Sequence, residues 1–236
     1  MDWKPPEGME EYLKATEICD CDNAELKRRA KEIIKDSQTP GEAALRIFSF
    51  VRDGVIWKVD AIDLKASKTL KKRGGVCQNK ANLHIALLRA VGIPARYHQV
   101  SVKKEGWKFM SGLVYKLTVD PIWYHTWCEC YLGKNWVACE SVFDEALYKG
   151  MLQQGLATEE QIPTIDWNGE SDLIVVNPWI VEDVGSFSSL DAVFKKAQKE
   201  ASRPRIISWL VSWLVLYLSN QHTDSIRKKG KPSKAA

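Results

Sequence analysis

Three residues of the types that together perform nucleophilic catalysis occur in order along the chain: Cys77, His125 and Glu140. A cysteine sulfur attacks carbonyl carbons, and an imidazole takes and returns the proton that this attack requires. A carboxylate orients the imidazole and stabilises its charged form. Because an isolated histidine is more often structural than catalytic, the surroundings of each residue decide whether the three form a site.

Cys77 has surroundings that favour a nucleophilic thiolate. It follows Gly74-Gly75-Val76 and precedes a run of residues that is apolar nearly all round, which is typical of a buried helix. A helix start has unpaired backbone N–H groups and the positive end of a dipole, and both favour a thiolate. The glycines allow another backbone or a substrate to approach closely. Cys77 is therefore the candidate nucleophile, and the alternative is a small buried helix residue. Positive potential is added upstream by Lys65, Lys68, Lys71, Lys72 and Arg73.

Two acids are candidates for the carboxylate. Glu140 lies on the predicted strand after a turn at Gly133–Asn135, so a residue near 128–130 is directly opposite it. His125 is then a diagonal neighbour or further, within reach only if strand twist or a bulge helps. Asp144 lies beyond the strand and is the weaker alternative.

The other histidines fit structural roles better. His84 lies on the apolar helix and is expected in the core, and His98 lies in a predicted strand as a core residue or a support for the site. His222 belongs to the C-terminal region. None of the three displaces His125 as the candidate general acid and base.

The elements that must position these residues follow an α+β order. The first 38 residues are predicted to be helical and polar, with apolar residues at helical spacing over 26–34. A second helix begins at Thr39, with Pro40 in its first turn and Glu42 as a capping-box partner. A short extended piece at 55–57 and the helix after Cys77 follow, and Gly92-Ile93-Pro94 ends that helix. Strands of an antiparallel sheet are predicted at 97–102, 112–119, 125–132 and 136–142. Helices are predicted again at 146–154 and 190–200, with a turn at 166–169 between them.

Three blocks of the sequence resemble a known family. The runs GGVCQNKA (74–81) and LLRAVGIPAR (87–96) resemble the core motif of transglutaminase-like proteins. HTWCECYL (125–132) resembles the histidine strand of that family, and WVACE (136–140) resembles its final acidic motif. The blocks occur in the family's order and cover roughly residues 39–144. The resemblance implies a papain-like core in which the nucleophile helix packs on the antiparallel sheet.

The resemblance also implies roles for individual residues. Cys77, His125 and Glu140 match the family's Cys–His–acid triad, although the family usually has aspartate where this chain has Glu140. The family often has an aromatic or amide side chain upstream of the cysteine that donates to the oxyanion. Trp57 matches by position, and the alternative is a packed tryptophan. The backbone N–H of Cys77 is a second candidate donor.

The implied reaction is acyl transfer through a thioester at an amide or peptide bond of a peptide or protein substrate. Water as the acceptor gives a peptidase or amidase, and an amine gives protein cross-linking. The sequence has no aspartate-rich loop with calcium-site spacing, which favours a hydrolase. No cofactor is expected. The alternative function is a catalytically inactive module that binds peptides or proteins, and the departure at Glu140 keeps this alternative open.

Composition limits the class of protein. The chain has 236 residues, 45% hydrophobic and 27% charged, which excludes collagen, coiled coil and wholesale disorder. The net charge of +4 results from a cluster of bases after Asp224, so the rest is nearly neutral and no nucleic-acid partner is expected. No secretory signal is visible, and six cysteines are too few for a disulfide scaffold, so the predicted location is cytoplasmic with reduced thiols.

The paired cysteines raise one competing interpretation. Cys19-x-Cys21 and Cys128-x-Cys130 could form a four-thiolate zinc site, but the spacing departs from the usual C-x₂₋₄-C. Buried small residues explain them equally well. The sequence therefore predicts no metal site.

The C-terminal region is set apart from a predicted domain at residues 1–200. The apolar run Ile206–Leu218 would span about 20 Å as a helix, short of the roughly 30 Å of bilayer hydrocarbon. Three alternatives remain open: docking as a core helix, association with the inner membrane face, and self-association. The remaining residues up to 236 are predicted to form a basic, disordered tail. Its positive charge favours association with an anionic surface.

Overall fold

The computed structural model describes residues 5–110, 112, 115–116, 122–193 and 208–231, with the side chains of 208–213 and 215 excepted. The helices are α1 (Ala24–Ile33), α2 (Pro40–Gly54), α3 (Ala66–Lys72), α4 (Cys77–Ala90), α5 (Glu145–Gln153) and α6 (Ser208–Gly230). The strands are β1 (Ile56–Trp57), β2 (Gly74–Gly75), β3 (Ala95–Lys103), β4 (Ile122–Leu132), β5 (Asn135–Ala138) and β6 (Ile180–Phe187). Helices precede the main sheet along the chain, as the α+β prediction requires.

Helix α2 begins as its sequence predicts. The Thr39 side chain accepts a hydrogen bond from the Glu42 N–H at 3.2 Å, and Pro40 is the first helical residue. The Glu42 carboxylate accepts from the Gln38 N–H at 2.6 Å, one residue before the cap. The apolar face of α2 is buried against α4, which fixes the exit of the chain into β1.

Helix α4 is the central helix of the fold. Nearly all of its residues are buried, because it packs against β3 and β4 on one side and against α1, α2 and α3 on the others. Gly92 has a φ of 84°, a left-handed conformation that suits glycine just after a helix end. The Arg89 guanidinium donates to the carbonyls of Lys14, Ala95 and Ser188, which ties the end of α4 to distant parts of the chain.

The main sheet is antiparallel with the order β5-β4-β3-β6. The turn between β4 and β5 consists of Gly133 and Lys134, both with positive φ (57° and 79°), which matches the twist of a two-residue hairpin. The register places Val100 opposite His125 and Ala138 opposite Glu129. A second, two-stranded sheet pairs β1 with β2 in parallel.

Several predicted elements differ from the structure. Of the described residues up to 38, which were predicted to be helical, only α1 and one turn at Glu10–Tyr12 are helical. Of the predicted strand 112–119, residues 112, 115 and 116 are helical and the others lie outside the described residues. The strand predicted at 136–142 is shorter, because β5 ends at Ala138. Strand β6 was not predicted, since it is a largely exposed edge strand without alternating hydrophobicity. The predicted helix 190–200 begins at residue 191 and lies outside the described residues from 194 on.

The C-terminal helix is longer than predicted. Helix α6 continues through the basic residues to Gly230, so the disordered tail predicted after Leu218 is helical up to that point. Its second half packs on α5, and its buried residues recur at helical spacing: Ser219, Thr223, Ile226, Arg227 and Gly230. Three residues of the predicted apolar run, Leu214, Tyr217 and Leu218, are 37–49% exposed. In the part of the chain that the structure describes, no helix combines the length and hydrophobicity needed to cross a bilayer.

Candidate active site

The loop before Cys77 is shaped by its two glycines. Trp57 in β1 lies opposite Gly75 in β2, and Cys77 begins α4 two residues later. A Cβ on Gly75 would lie 2.5 Å from the Asn79 Cβ, and one on Gly74 would lie 2.5 Å from the Lys58 side chain. The glycines therefore make room for the side chains of Asn79 and Lys58. The sequence had instead suggested that another backbone or a substrate approaches them.

Polar contacts fix the first turn of α4. The Asn79 side chain accepts from the Val76 N–H at 3.1 Å. The Cys77 thiol donates to the Gln78 side-chain oxygen at 2.9 Å, and the Gln78 amide donates to the Tyr124 carbonyl at 3.3 Å. Because Tyr124 precedes His125, these contacts join the start of α4 to the part of β4 that carries the histidine. Cys77 itself is only 5% exposed.

His125 and Glu140 form a buried hydrogen-bonded pair. The Nε2 atom of His125 lies 2.7 Å from Oε1 of Glu140, and both side chains are inaccessible to solvent. The other carboxylate oxygen accepts from the backbone N–H groups of Val175 (2.5 Å) and Val176 (3.2 Å). The carboxylate is thus held on both sides. Among the described residues, Nδ1 of His125 has no hydrogen-bond partner, which leaves this nitrogen for chemistry.

The chain reaches this arrangement because the strand pairing changes after β5. The Cys139 N–H still donates to the Cys128 carbonyl, one residue beyond the end of β5. The Glu140 N–H then donates to the Leu173 carbonyl instead. This change of pairing partner accounts for the His125–Glu140 contact. With regular strand pairing, the two residues would be only diagonal neighbours.

The electrostatics of the site favour a protonated imidazole. Burial on its own lowers the pKa of His125, but the negative charges of Cys77 and Glu140 and the hydrogen bond to Glu140 outweigh burial and raise this pKa to about 10. The negative charge of a Cys77 thiolate therefore favours the imidazolium. An imidazolium is the form that can protonate a leaving amine.

A group of buried aromatic rings surrounds the histidine. The Trp107 ring lies 5.6 Å from the His125 ring, and the Trp57 ring lies 4.7 Å from Phe109. Within the described residues, the indole N–H groups of Trp57, Trp107 and Trp127 are buried without an acceptor. Buried donors without partners are rare in proteins. Trp107 was not singled out from the sequence, because nothing in the local pattern brings it near the histidine.

Asp144, the alternative acid, belongs to a different network. It caps α5 by accepting from the Leu147 N–H at 3.1 Å, and it binds the Arg227 guanidinium at 2.8 and 3.0 Å. Its carboxylate also accepts from the Trp57 N–H at 3.3 Å, while Arg227 donates to the Trp57 carbonyl at 2.7 Å. Burial raises the pKa of Asp144, but Arg227 and Lys80 lower it overall. The acid on His125 is Glu140, and Asp144 anchors the strand that carries Trp57.

The same strand is anchored from α4. Lys80, fully buried, donates to the carbonyls of Arg52 (3.0 Å) and Val55 (2.5 Å), where α2 passes into β1. Burial lowers the pKa of Lys80 to about 7. Neither Lys80 nor Arg227 was recognised in the sequence as part of the site's support, because both act over long separations.

The other histidines have structural surroundings. Nδ1 of His84 lies 3.3 Å from the Ser141 hydroxyl in the core. His98 stacks on Trp127 and lies between Glu129 (3.2 Å) and Asp183 (3.0 Å). His222 lies on α6. These placements agree with the structural roles predicted for His84 and His98.

Comparison with protein families identifies the region that carries the site. Residues 27–141 match the family model of the transglutaminase-like superfamily, which contains the three blocks recognised in the sequence. The comparison with curated proteins gives no match.

A solved structure shares the fold at low sequence identity. A candidate cysteine protease from Cytophaga hutchinsonii superposes with a TM-score of 0.50 at 18% identity, over 78% of this chain and 48% of its own. The chain therefore spans about half the length of that protein. A candidate protease from Parabacteroides distasonis (TM-score 0.37, 13% identity, 55% and 24% of the chains) and red sea bream transglutaminase (0.35, 14%, 57% and 26%) are also similar.

Proposed function

We propose that this chain, whose residues 27–141 form a transglutaminase-like core, hydrolyses amide or peptide bonds through a thioester on Cys77. One observation carries the proposal: Glu140 holds His125 through Nε2, Nδ1 has no partner among the described residues, and Gln78 joins the first turn of α4 to Tyr124 beside the histidine. In this arrangement Cys77 is the nucleophile, His125 the general base and acid, and Glu140 the carboxylate that orients the ring.

In the first step the Cys77 sulfur attacks the carbonyl carbon of the amide. The C–N bond breaks as the imidazolium of His125 gives its Nδ1 proton to the leaving amine. The raised pKa of His125 keeps that proton available at neutral pH. Glu140 keeps the ring in place and stabilises its positive charge without taking the proton.

The negative charge that develops on the carbonyl oxygen needs donors. Cys77 is the first residue of α4, so its backbone N–H is not used within the helix. The Trp57 indole N–H is buried without an acceptor among the described residues, and Trp57 lies opposite Gly75 at the entrance to α4. We assign the Cys77 N–H and the Trp57 indole to the oxyanion.

Water completes the reaction. Neutral His125 takes a proton from a water molecule, whose oxygen attacks the thioester carbon. The carbon–sulfur bond then breaks, which releases the carboxylic acid and returns Cys77 as a thiolate. We favour water over an amine as acceptor, because the sequence has no loop with the spacing of a calcium site. The substrate is an amide or peptide whose carbonyl reaches the start of α4.

The acyl-enzyme tests the proposal directly. With p-nitrophenyl acetate, we expect one acetyl group per chain, mapped by peptide mass spectrometry to Cys77. The variants Cys77→Ala and His125→Ala should form none, and Cys19→Ala should react like the wild type, because Cys19 is completely buried. Acetylation of other cysteines at the same rate, or none at all, would contradict an activated Cys77.

The role of Trp57 has a separate test. Trp57→Phe keeps the ring but removes the N–H, so acetylation, which forms an oxyanion, should slow by about 10²-fold. Alkylation by iodoacetamide displaces iodide and forms no oxyanion, so its rate should stay within twofold of the wild type. Trp127→Phe is the matched control. Equal slowing of both reactions would make Trp57 a packing residue only.

A binding module is the second candidate. Cys77 is 5% exposed and its thiol donates to Gln78, which leaves little of the sulfur open to a substrate. If this candidate holds, the peptide ligand would bind equally well to the wild type and to Cys77→Ala, and no thioester would form. Trapping of a thioester on Cys77 excludes it.

A further inference from the structure

A second group of reactive side chains lies in the core. The ligand-type atoms of His84, Cys128 and Cys139 all lie within 4.8 Å of one another, and the three side chains are completely buried. The zinc site considered from the sequence paired Cys128 and Cys130 with Cys19 and Cys21. The cluster contains no residue of the Cys19–Cys21 pair, and a histidine replaces them. This group has no role in the reaction proposed for Cys77.

The histidine of the cluster has an unsatisfied nitrogen. Nδ1 of His84 lies 3.3 Å from the Ser141 hydroxyl, whereas Nε2 has no hydrogen-bond partner among the described residues. A completely buried ring nitrogen without a partner costs free energy. Ligation of a metal by Nε2 would remove this cost. The Ser141 contact would fix the ring, as the hydrogen bond to the non-ligating ring nitrogen does in known metal sites.

A fourth donor lies within reach. The Cys139 sulfur is 3.8 Å from the Cys130 sulfur. Two thiolates bound tetrahedrally at zinc–sulfur distances of about 2.3 Å are about 3.8 Å apart. The Cys128 and Cys139 positions also pair across the extended ladder of β4 and β5, which holds their backbones together.

Charge balance favours a divalent, thiophilic ion. Two thiolates and a neutral imidazole cancel the charge of Zn²⁺, so that the buried site has no net charge, and a third thiolate adds one negative charge. Nitrogen and sulfur donors in tetrahedral sets are typical of zinc. An exposed entry path is unnecessary when the metal binds as the chain folds.

We propose that His84, Cys128 and Cys139, with Cys130 as the fourth ligand, bind a structural zinc ion. Binding forms one nitrogen–zinc and three sulfur–zinc bonds, and the three thiol protons leave to solvent. The Cys139 thiol, which donates to the Cys128 carbonyl at 3.3 Å, gives up that hydrogen bond. The proposal stands independently of the activity proposed for Cys77.

The location gives such an ion a structural task. His84 shares α4 with Cys77, Cys128 shares β4 with His125, and Cys139 directly precedes Glu140. The metal would cross-link the three segments that carry the candidate catalytic residues.

Metal content and a cobalt spectrum test the site on the full chain. We expect about one zinc per chain in protein purified without chelators or metal-affinity resin. After unfolding with chelator and refolding with Co²⁺, we expect the visible absorption of tetrahedral cobalt and thiolate-to-cobalt charge transfer. A chain that contains no metal as purified and gives no cobalt spectrum after refolding would overturn the proposal.

Variants locate the ligands. Cys128→Ala and Cys139→Ala should lose the zinc, and Cys130→Ala should lose about a third of the charge-transfer intensity. Cys19→Ala is the matched control, because Cys19 is equally buried outside the cluster, and it should keep the metal. Metal retained in full by Cys128→Ala and Cys139→Ala overturns the assignment. If these variants do not fold, the cobalt spectrum of the wild type decides the question.

Discussion

At the scale of single residues, the length of Glu140 explains how it can occupy a position where the resemblance leads one to expect aspartate. One carboxylate oxygen reaches Nε2 of His125 and the other accepts two backbone N–H groups, from Val175 and Val176. A carboxylate with both oxygens occupied has little freedom to rotate. The ring is therefore oriented by an acid that the backbone itself holds.

The protonation of His125 should follow from this pair. In NMR spectra of protein labelled with ¹³C at histidine Cε1, the four histidines give one signal each. We expect the His125 signal to titrate near pH 10 in the wild type. Glu140→Gln removes a negative charge beside the ring, so the transition should move to lower pH. Asp144→Asn, an acid in a separate network, should leave it in place. An unchanged transition in Glu140→Gln would show that the carboxylate does not stabilise the imidazolium.

The same shift links the pair to stability. The pKa of His125 is about 10 in the folded chain against a usual value of 6.5, so between these values the folded state holds a proton that the unfolded state lacks. This contribution to the free energy of unfolding is complete below about pH 6.5 and is lost as the pH rises to about 10.

At the scale of elements, the contact between α5 and α6 depends on glycine. A Cβ on Gly150 would lie 2.1 Å from the Ile226 carbonyl oxygen, and one on Gly230 would lie 2.0 Å from the Ala146 carbonyl oxygen. The two helices therefore approach through their backbones. This close approach brings Arg227 on α6 to Asp144 at the start of α5.

Gly150→Ala should weaken this contact. Since the obstacle is backbone and cannot rotate away, we expect the free energy of unfolding to fall by about 1–3 kcal/mol in urea denaturation. Gly41→Ala is the control, because the nearest atom to its Cβ would be 3.9 Å away and no loss is expected. An unchanged stability of Gly150→Ala would mean that the helices do not pack this closely.

Local patterns predicted much of the architecture, and long-range contacts explain what they missed. The cap at Thr39, the start of α4 at Cys77 and the hairpin at Gly133–Asn135 are short-range signals, and the structure confirms them. The His125–Glu140 contact depends on Leu173, far along the chain, so the register alone gave only a diagonal neighbour. Strand β6 has no periodicity because solvent covers much of it.

At the scale of the whole molecule, one arginine joins the C-terminal helix to the candidate site. Arg227 donates to the Trp57 carbonyl and to both oxygens of Asp144, and its side chain is 8% exposed. Trp57 thereby has its strand fixed from the opposite end of the chain. Residues outside the matched region 27–141 thus contribute to the site's support.

Arg227→Met should be severely destabilising. It leaves the Asp144 carboxylate buried without its partner, a loss of about 3–5 kcal/mol measured by chemical denaturation. Arg28→Met, which removes two ion pairs whose side chains are more than 40% exposed, is the control and should have no measurable effect. If both variants were equally stable, α6 would not be anchored through Arg227.

The bond between Arg227 and Trp57 joins residues 170 positions apart. At equilibrium so large a loop costs only slightly more entropy than a loop of half that size, because the closure term grows with the logarithm of length. In kinetic terms the effect is larger, since topologies rich in such distant pairings fold slowly. Helix α4 and the β4–β5 hairpin are built from neighbouring residues, whereas the strand of Trp57 is held by the hydrogen bond from distant Arg227. The strand that carries Trp57 is therefore fixed in place only when the two ends of the chain meet.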